Sequence, residues 1–268
     1  MLSSVFTKTL RDRRRGFLYW ALGIVAFIAM EAAVYPTVRD DPDFKKLGEN
    51  YPEAIKGFFG FGGQFDIASG AGFLGIEVFS MIVPLILIFC TVAAGAGAIA
   101  GEEERGTLDL LLSLPVSRTR CLLEKLAALF VETLALGLVL WTTLVIAVSL
   151  AKMHISVGEL LAATLLATAL ALGFGTIALA VGAASGRHGL AIGIPAVLAV
   201  ASYVVNSLAP LVGWLEHVQW ASPFYYYAHS DPLRTGLDGS DLLVLLAIPL
   251  VVAVLAPIAF ARRDLSTP

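Results

Sequence analysis

The chain has 268 residues, of which 58% are hydrophobic and 15% charged, with a mean hydropathy of +0.83 and a formal net charge of -3. An ordinary soluble domain carries about 25% charged residues, so this composition excludes one and identifies an integral membrane protein. The acidic balance and the lack of a basic and aromatic patch exclude a nucleic-acid partner.

The N-terminal segment from Leu2 to Arg15 places Leu2, Val5, Phe6 and Leu10 near one helical face, with Lys8, Arg11, Arg13, Arg14 and Arg15 elsewhere. This pattern predicts an interfacial helix, the alternative being a cytoplasmic extension of the first span. The apolar run from Phe17 to Val34 exceeds the roughly 7–15 residues of a signal-peptide core and lacks a small-residue cleavage pattern, so it is expected to be retained.

A bilayer crossing takes about 20 apolar residues. Segments of that kind run from Phe17 to Tyr35, Gly72 to Ala100, Leu122 to Leu150, Val157 to Ser185, Gly189 to Leu211 and Asp241 to Ala261. The expectation is an all-α integral membrane protein, a single transmembrane domain over residues 1–268 with six spans, the interfacial helix and a short cytoplasmic coupling helix. Counting Lys125 with the inner loop, twice as many Lys and Arg fall on the inner side as on the outer, which puts both termini in the cytoplasm. The first outer loop, Pro36 to Ala71, works against that bias with Arg39, Lys45, Lys46 and Lys56, but its length weakens the influence of charge. Its Phe58, Phe59, Phe61 and Phe65 are expected at the interface, as an aromatic belt in preference to a substrate-release surface.

Between the second and third spans lies the longest strongly charged interruption, Gly101 to Arg120, GEEERGTLDLLLSLPVSRTR. Gly101 suits the left-handed residue that ends a helix, and Glu102, Glu103 and Glu104 then stand at the negative end of its dipole. Thr107 to Leu114 allow about two turns, with Thr107 as cap, Asp109 in the first turn and Pro115 as the stop. Leu108, Leu110, Leu111, Leu112 and Leu114 make that helix apolar on most of its circumference, so it is expected to dock on headgroups or another protein.

Glu132 falls about three turns into the third span, where an acid costs roughly 2.5–3.5 kcal/mol on an insertion scale. It must face protein or water, as a structural hydrogen bond within the bundle or as a polar site on a translocation path. Asn206 is a milder candidate for such a path, and Glu31 and Glu77 lie close to the outer boundary. The pairs Gly97 and Gly101, Ala178 and Gly182, and Gly189 and Gly193 permit close helix packing, while Pro84, Pro195, Pro249 and Pro257 are expected to kink or interrupt their helices. Trp220, Phe224, Tyr225, Tyr226 and Tyr227 form a second outer aromatic group, read as a belt or a lid. Gly186, Arg187 and His188 make a short inner turn. Cys90 and Cys121 are expected to be buried small hydrophobes without a disulfide.

No GxxxxGK[ST] loop, HExxH, GxSxG or CxxC occurs, and His154, His188, His217 and His229 are too scattered for a metal centre. The chain is therefore not expected to be an enzyme or to supply its own energy.

The acidic run, the GTL, the leucine-rich turn and PVSR together resemble the cytoplasmic loop of ABC-2-type transporter permeases, the membrane subunits of ABC exporters. The long outer segment before the second span, SPFYYY and the terminal ARRDL are similar as well, though the segment from GEEERGT to PVSR is the specific part. The resemblance implies a coupling element made of Glu102, Glu103, Glu104, Arg105, Gly106, Thr107, Leu108, Leu111, Leu112, Pro115 and Arg118, docked on an ABC ATPase. It further implies two ATPase copies, a second permease chain in a homodimer or heterodimer, ATP and Mg on the ATPase with no cofactor on this chain, and efflux across the cell membrane. A non-transporting membrane anchor or sensor that holds a cytoplasmic partner is the alternative. An ion-coupled carrier would need more intramembrane charge or an internal repeat.

Overall fold

The structure is a computed structural model that describes residues 4–41, 67–113 and 116–262. Six helices are long and apolar enough to cross a membrane, and no strand occurs among the described residues. The four loop phenylalanines, Lys45, Lys46, Lys56, Leu114, Pro115 and the RDL of the terminal motif lie outside the described residues.

The first helix, α1 (Val5–Asp40), starts at Ser4, whose hydroxyl accepts the Thr7 N–H, and continues through the whole apolar run and past Pro36. At 1.5 Å per residue its 36 residues measure about 54 Å, well beyond the ~30 Å hydrocarbon core. The basic N-terminal segment is thus continuous with the first span, and no separate interfacial helix precedes it among the described residues. With no Gly or Pro between Leu2 and Arg15, nothing breaks the backbone there.

The second span, α2 (Gly70–Ala98), opens with an α-turn capped by Ser69, passes through a π-helix over Leu74–Phe79, and resumes as α-helix at Ile82–Ala98. The change of geometry at Ser80 and Met81 falls four residues before Pro84, whose missing N–H and bulky ring disfavour a regular turn there. Pro195, Pro249 and Pro257, in contrast, lie inside helices that stay continuous.

Two short helices follow, α3 (Ala100–Glu104) and α4 (Thr107–Leu112), and then the third span α5 (Arg118–Leu150), capped by Ser117. The turn between α3 and α4 is made by Gly106 at φ 67. The left-handed residue is therefore Gly106 and not Gly101, which sits within α3. The fourth span α6 (Val157–Ser185) carries a full capping box from Ser156 and Glu159 and ends at left-handed Gly186. It is followed by α7 (His188–Leu208), the outer α8 (Pro223–Ala228) and the last span α9 (Gly239–Arg262).

Small residues line α6 on every side, and it is the central helix, packed on α2, α5, α7 and α9, while α1 lies along α5. The closest approach is between α2 and α6, where a Cβ added to Gly95 would overlap the Gly175 carbonyl and one added to Gly175 would come within 2.7 Å of Thr91 Cβ. Thr91 Oγ1 also donates to the Ala171 carbonyl across this crossing at 2.7 Å. Of the small-residue pairs read from the sequence, Ala178 and Gly182 do meet neighbours on α2 and α7, whereas Gly97, Gly189 and Gly193 face open space. Cys90 and Cys121 are both buried and free.

Candidate functional site

The first half of α5 presents Cys121, Lys125, Ala128 and Glu132 as one buried stripe at helical spacing. A cation and an acid would be costly there unless matched, and each charged member of the stripe has a partner. Lys125, 1% exposed, places Nζ 2.8 Å from Glu102 Oε1 of α3, and Lys8 Nζ approaches the same oxygen at 4.0 Å. One level deeper, Arg13 Nε lies 3.2 Å from Glu132 Oε2. On the adjoining face of α5, Glu124 accepts the Phe6 N–H at 3.0 Å and Arg120 Nε at 2.8 Å.

These contacts give Glu132 a partner. It stands level with Arg13, which precedes the apolar run that begins at Phe17. Its partner is an ion-pairing arginine from another span, which is the structural reading in a charged form. Asn206, at the outer end of α7, accepts from Gln219 Nε2 at 3.1 Å and ties that helix to the outer segment.

The acidic turn is similarly tied down. Because the second span breaks at Ile99, Glu102 and Glu103 fall in the first turn of α3, where a helix end favours negative charge. The expected clash with the α2 dipole is thereby avoided. Glu104 Oε1 accepts the His188 N–H at 2.9 Å and supplies from outside the cap that Arg187 does not provide for α7. Thr107 donates its hydroxyl to the Glu102 carbonyl at 3.1 Å, so it closes α3 instead of capping α4. The turn thus bridges spans α2, α5 and α7.

Two leucines of α4, Leu108 and Leu111, point the other way from expectation. Leu108 is fully buried with Ile99, Leu122 and Phe260, and Leu111 packs with Val5 and Cys121. The part of the apolar face formed by Leu108 and Leu111 is filled by the chain's own helices, and the side chains of Asp109 and Leu110 lie outside the described residues. Among the described residues of the turn, Glu104, Arg105, Gly106 and Thr107 are exposed, while Glu103 and Arg118 are partly buried. Pro115 and the Leu112 side chain lie outside the described residues. Lys125, Lys8 and Arg13 are the site residues that sequence reasoning passed over. The signal for Lys125 and Glu132 was their spacing of seven, which puts both on one face of α5.

At the outer end, Phe224 and Tyr227 are buried beneath the surface while Trp214 and Trp220 stay exposed, so the group divides into a lid and a belt. Tyr227 Oη donates to the Phe79 carbonyl at the end of the π-helix, 2.7 Å away, and burial pushes its phenol well above its ordinary range.

A family model described as ABC-2 family transporter protein matches residues 3–265. The chain is also similar to an uncharacterized protein of Bacillus subtilis (strain 168), YhcI, with 25% identity over 89% of this chain and 83% of that protein.

Proposed function

The chain belongs to the ABC-2 family of transporter proteins, and from that premise we propose that it is the permease subunit of an ATP-driven exporter, working beside a second permease chain and two copies of a separate ABC ATPase. Membership makes it the membrane subunit of a transporter and implies an ABC ATPase as partner. The six spans make it a multi-pass membrane protein, and the charge bias supports both termini inside.

The observation that carries this reading is the Lys125–Glu102 pair beneath an exposed polar turn. A partner that pushes on Arg105 or Thr107 moves α3, and α3 is fastened to the third span by a buried charge pair and to α7 by Glu104. Force on the turn is thereby converted into rigid-body movement of whole spans. The second permease chain supplies the other wall of the path, since a six-span bundle densely packed about α6 leaves little room for a path within it.

A photo-reactive residue at Arg105 or Thr107 in the full chain is expected to capture the ATPase, whereas one at Leu111 is expected to capture only the chain itself. Failure at both exposed positions, in a correctly inserted chain, overturns the coupling role. Export is tested by nucleotide-dependent movement of candidate cargo in vesicles containing both subunits. A complex retaining its ATPase without such movement would favour the anchor reading.

A further inference from the structure

Alongside the first half of α5, where it meets α6 and α9, the bundle carries a lateral groove of about 480 Å³, within the size range of a ligand site. Leu123, Phe130 and Leu250 line it as exposed side chains, and Leu172 and Thr176 of α6 reach it from within the bundle. Small side chains at Ala127 and Ala253 leave the space open. Thr176, the one lining residue with a polar side chain, donates its hydroxyl to the Gly173 carbonyl at 2.8 Å. The groove therefore offers an occupant little besides hydrocarbon.

Toward the start of α5 the groove adjoins a second hollow of about 420 Å³, and Leu123 and Ala127 line both. Here the lining is polar: Ser117, Thr119, Arg120 and Glu124 join Phe6 of α1. Both oxygens of Glu124 are engaged, Oε2 by the Phe6 N–H at 3.0 Å and Oε1 by Arg120 Nε at 2.8 Å. Arg120 makes that contact through Nε while its side chain stays 66% exposed, so the cation can still be reached from the hollow. A helix start adds a further preference for negative charge.

The two spaces make one site with a polar mouth and an apolar arm. From Arg120 to Val131 α5 rises about 16 Å, close to half of a ~30 Å hydrocarbon core. An occupant that suits both parts has an anionic head at the start of a span and a flexible apolar tail one leaflet deep. We propose that this site binds an anionic glycerophospholipid, with its phosphate on Arg120 beside the Ser117 and Thr119 hydroxyls and one acyl chain in the groove. Guanidinium and phosphate form strong charge-assisted hydrogen bonds. A headgroup ammonium is the poorer match, because the carboxylate that would receive it is already engaged on both oxygens. The site rests on the six helices spanning a bilayer and goes beyond the permease reading, since it needs no ATPase.

Dioleoylphosphatidylglycerol is the probe, titrated into the delipidated full chain in detergent and followed by native mass spectrometry. Saturable binding is expected, weakened at least about 10-fold by Arg120→Gln, which removes the charge at the mouth, and by Ala127→Phe, which fills the junction of the two spaces. Both positions are exposed, so both variants are expected to fold. Arg120→Lys keeps the charge and is expected to bind more tightly than Arg120→Gln. Dioleoylglycerol, which has the chains without the phosphate, is expected to compete at least about 10-fold more weakly than the phospholipid. Equal binding by the wild type and Ala127→Phe overturns the proposal, as does equal competition by dioleoylglycerol. Displacement of the lipid by an equal concentration of glycerol phosphate would assign the mouth to a free phosphate and overturn it. A photo-reactive residue at Leu123 is expected to capture the phospholipid in vesicles, and capture of a second copy of the chain in its place would make the groove a subunit contact and overturn the lipid site. None of these failures touches ATPase capture at Arg105.

Discussion

Arg13 and Glu132, 3.2 Å apart, join the basic beginning of the first helix to the third span at the depth where apolar sequence takes over in both. Glu132 is almost wholly buried, so removing the arginine leaves a carboxylate without compensation. Arg13→Gln is expected to lower stability by about 1–3 kcal/mol, less than for a fully buried pair because the arginine is partly exposed. Arg13→Gln/Glu132→Gln is expected to lose less than the sum of the single changes. Thermal unfolding of the purified chain checks this, and strict additivity would mean that the pair is not coupled.

Lys125→Met is expected to be more damaging, since Lys125 is 1% exposed and its loss leaves Glu102 only the looser approach of Lys8 at 4.0 Å. A cost of about 3–5 kcal/mol is typical of breaking a buried pair, while replacing both members by apolar groups is often nearly neutral. Lys125→Met/Glu102→Met is therefore expected to recover most of the stability without recovering transport, because the link between turn and span is gone. Full transport in the double variant would remove the pair from the coupling route.

Leu108→Asp and Arg105→Glu are expected to fail in different ways. Leu108 is fully buried, so an aspartate there reduces the folded, monodisperse yield before any partner is present, at a cost of about 3 kcal/mol or more. Arg105 is exposed, so its reversal is expected to leave the chain folded and to weaken ATPase association in a pull-down. Normal yield for Leu108→Asp would contradict its inward packing.

Glycine position decides sign at the α2–α6 crossing. Gly95→Ala puts a methyl into the Gly175 carbonyl and is expected to destabilise by about 1–3 kcal/mol. Gly97→Ala meets nothing and is expected to be neutral or stabilising by up to about 1 kcal/mol through helix propensity. Thermal unfolding of the two variants side by side separates them.

The number of long apolar helices was legible because apolar length is a property of consecutive residues: Val157–Ser185 is a helix with the ends read from the sequence. The partners of charged residues were not, because they depend on how far one helix slides along another. Glu132 looked unpartnered within its own span, and Arg13 of the first helix pairs with it. The leucines of α4 looked like a docking face because a short apolar helix gives no sign of whether its partner is its own chain. Gly101 and Gly106 are equally plausible helix breakers in sequence, and Ile99, where the second span actually breaks, carries no breaker signal at all.

The unbroken α1 has a further consequence for the lipid around it. Its inner end is held against Leu111 through Val5 and against Glu132 through Arg13, so it cannot bend at the cytoplasmic boundary to suit a thinner or thicker bilayer. Adjustment has to come from tilting the whole rod, which is how helices longer than the hydrocarbon layer relieve hydrophobic mismatch. Tilt at the outer end then displaces the α4 contact at the inner end. Acyl-chain length becomes a setting of the coupling turn, and turnover is expected to pass through an optimum as lipids are lengthened.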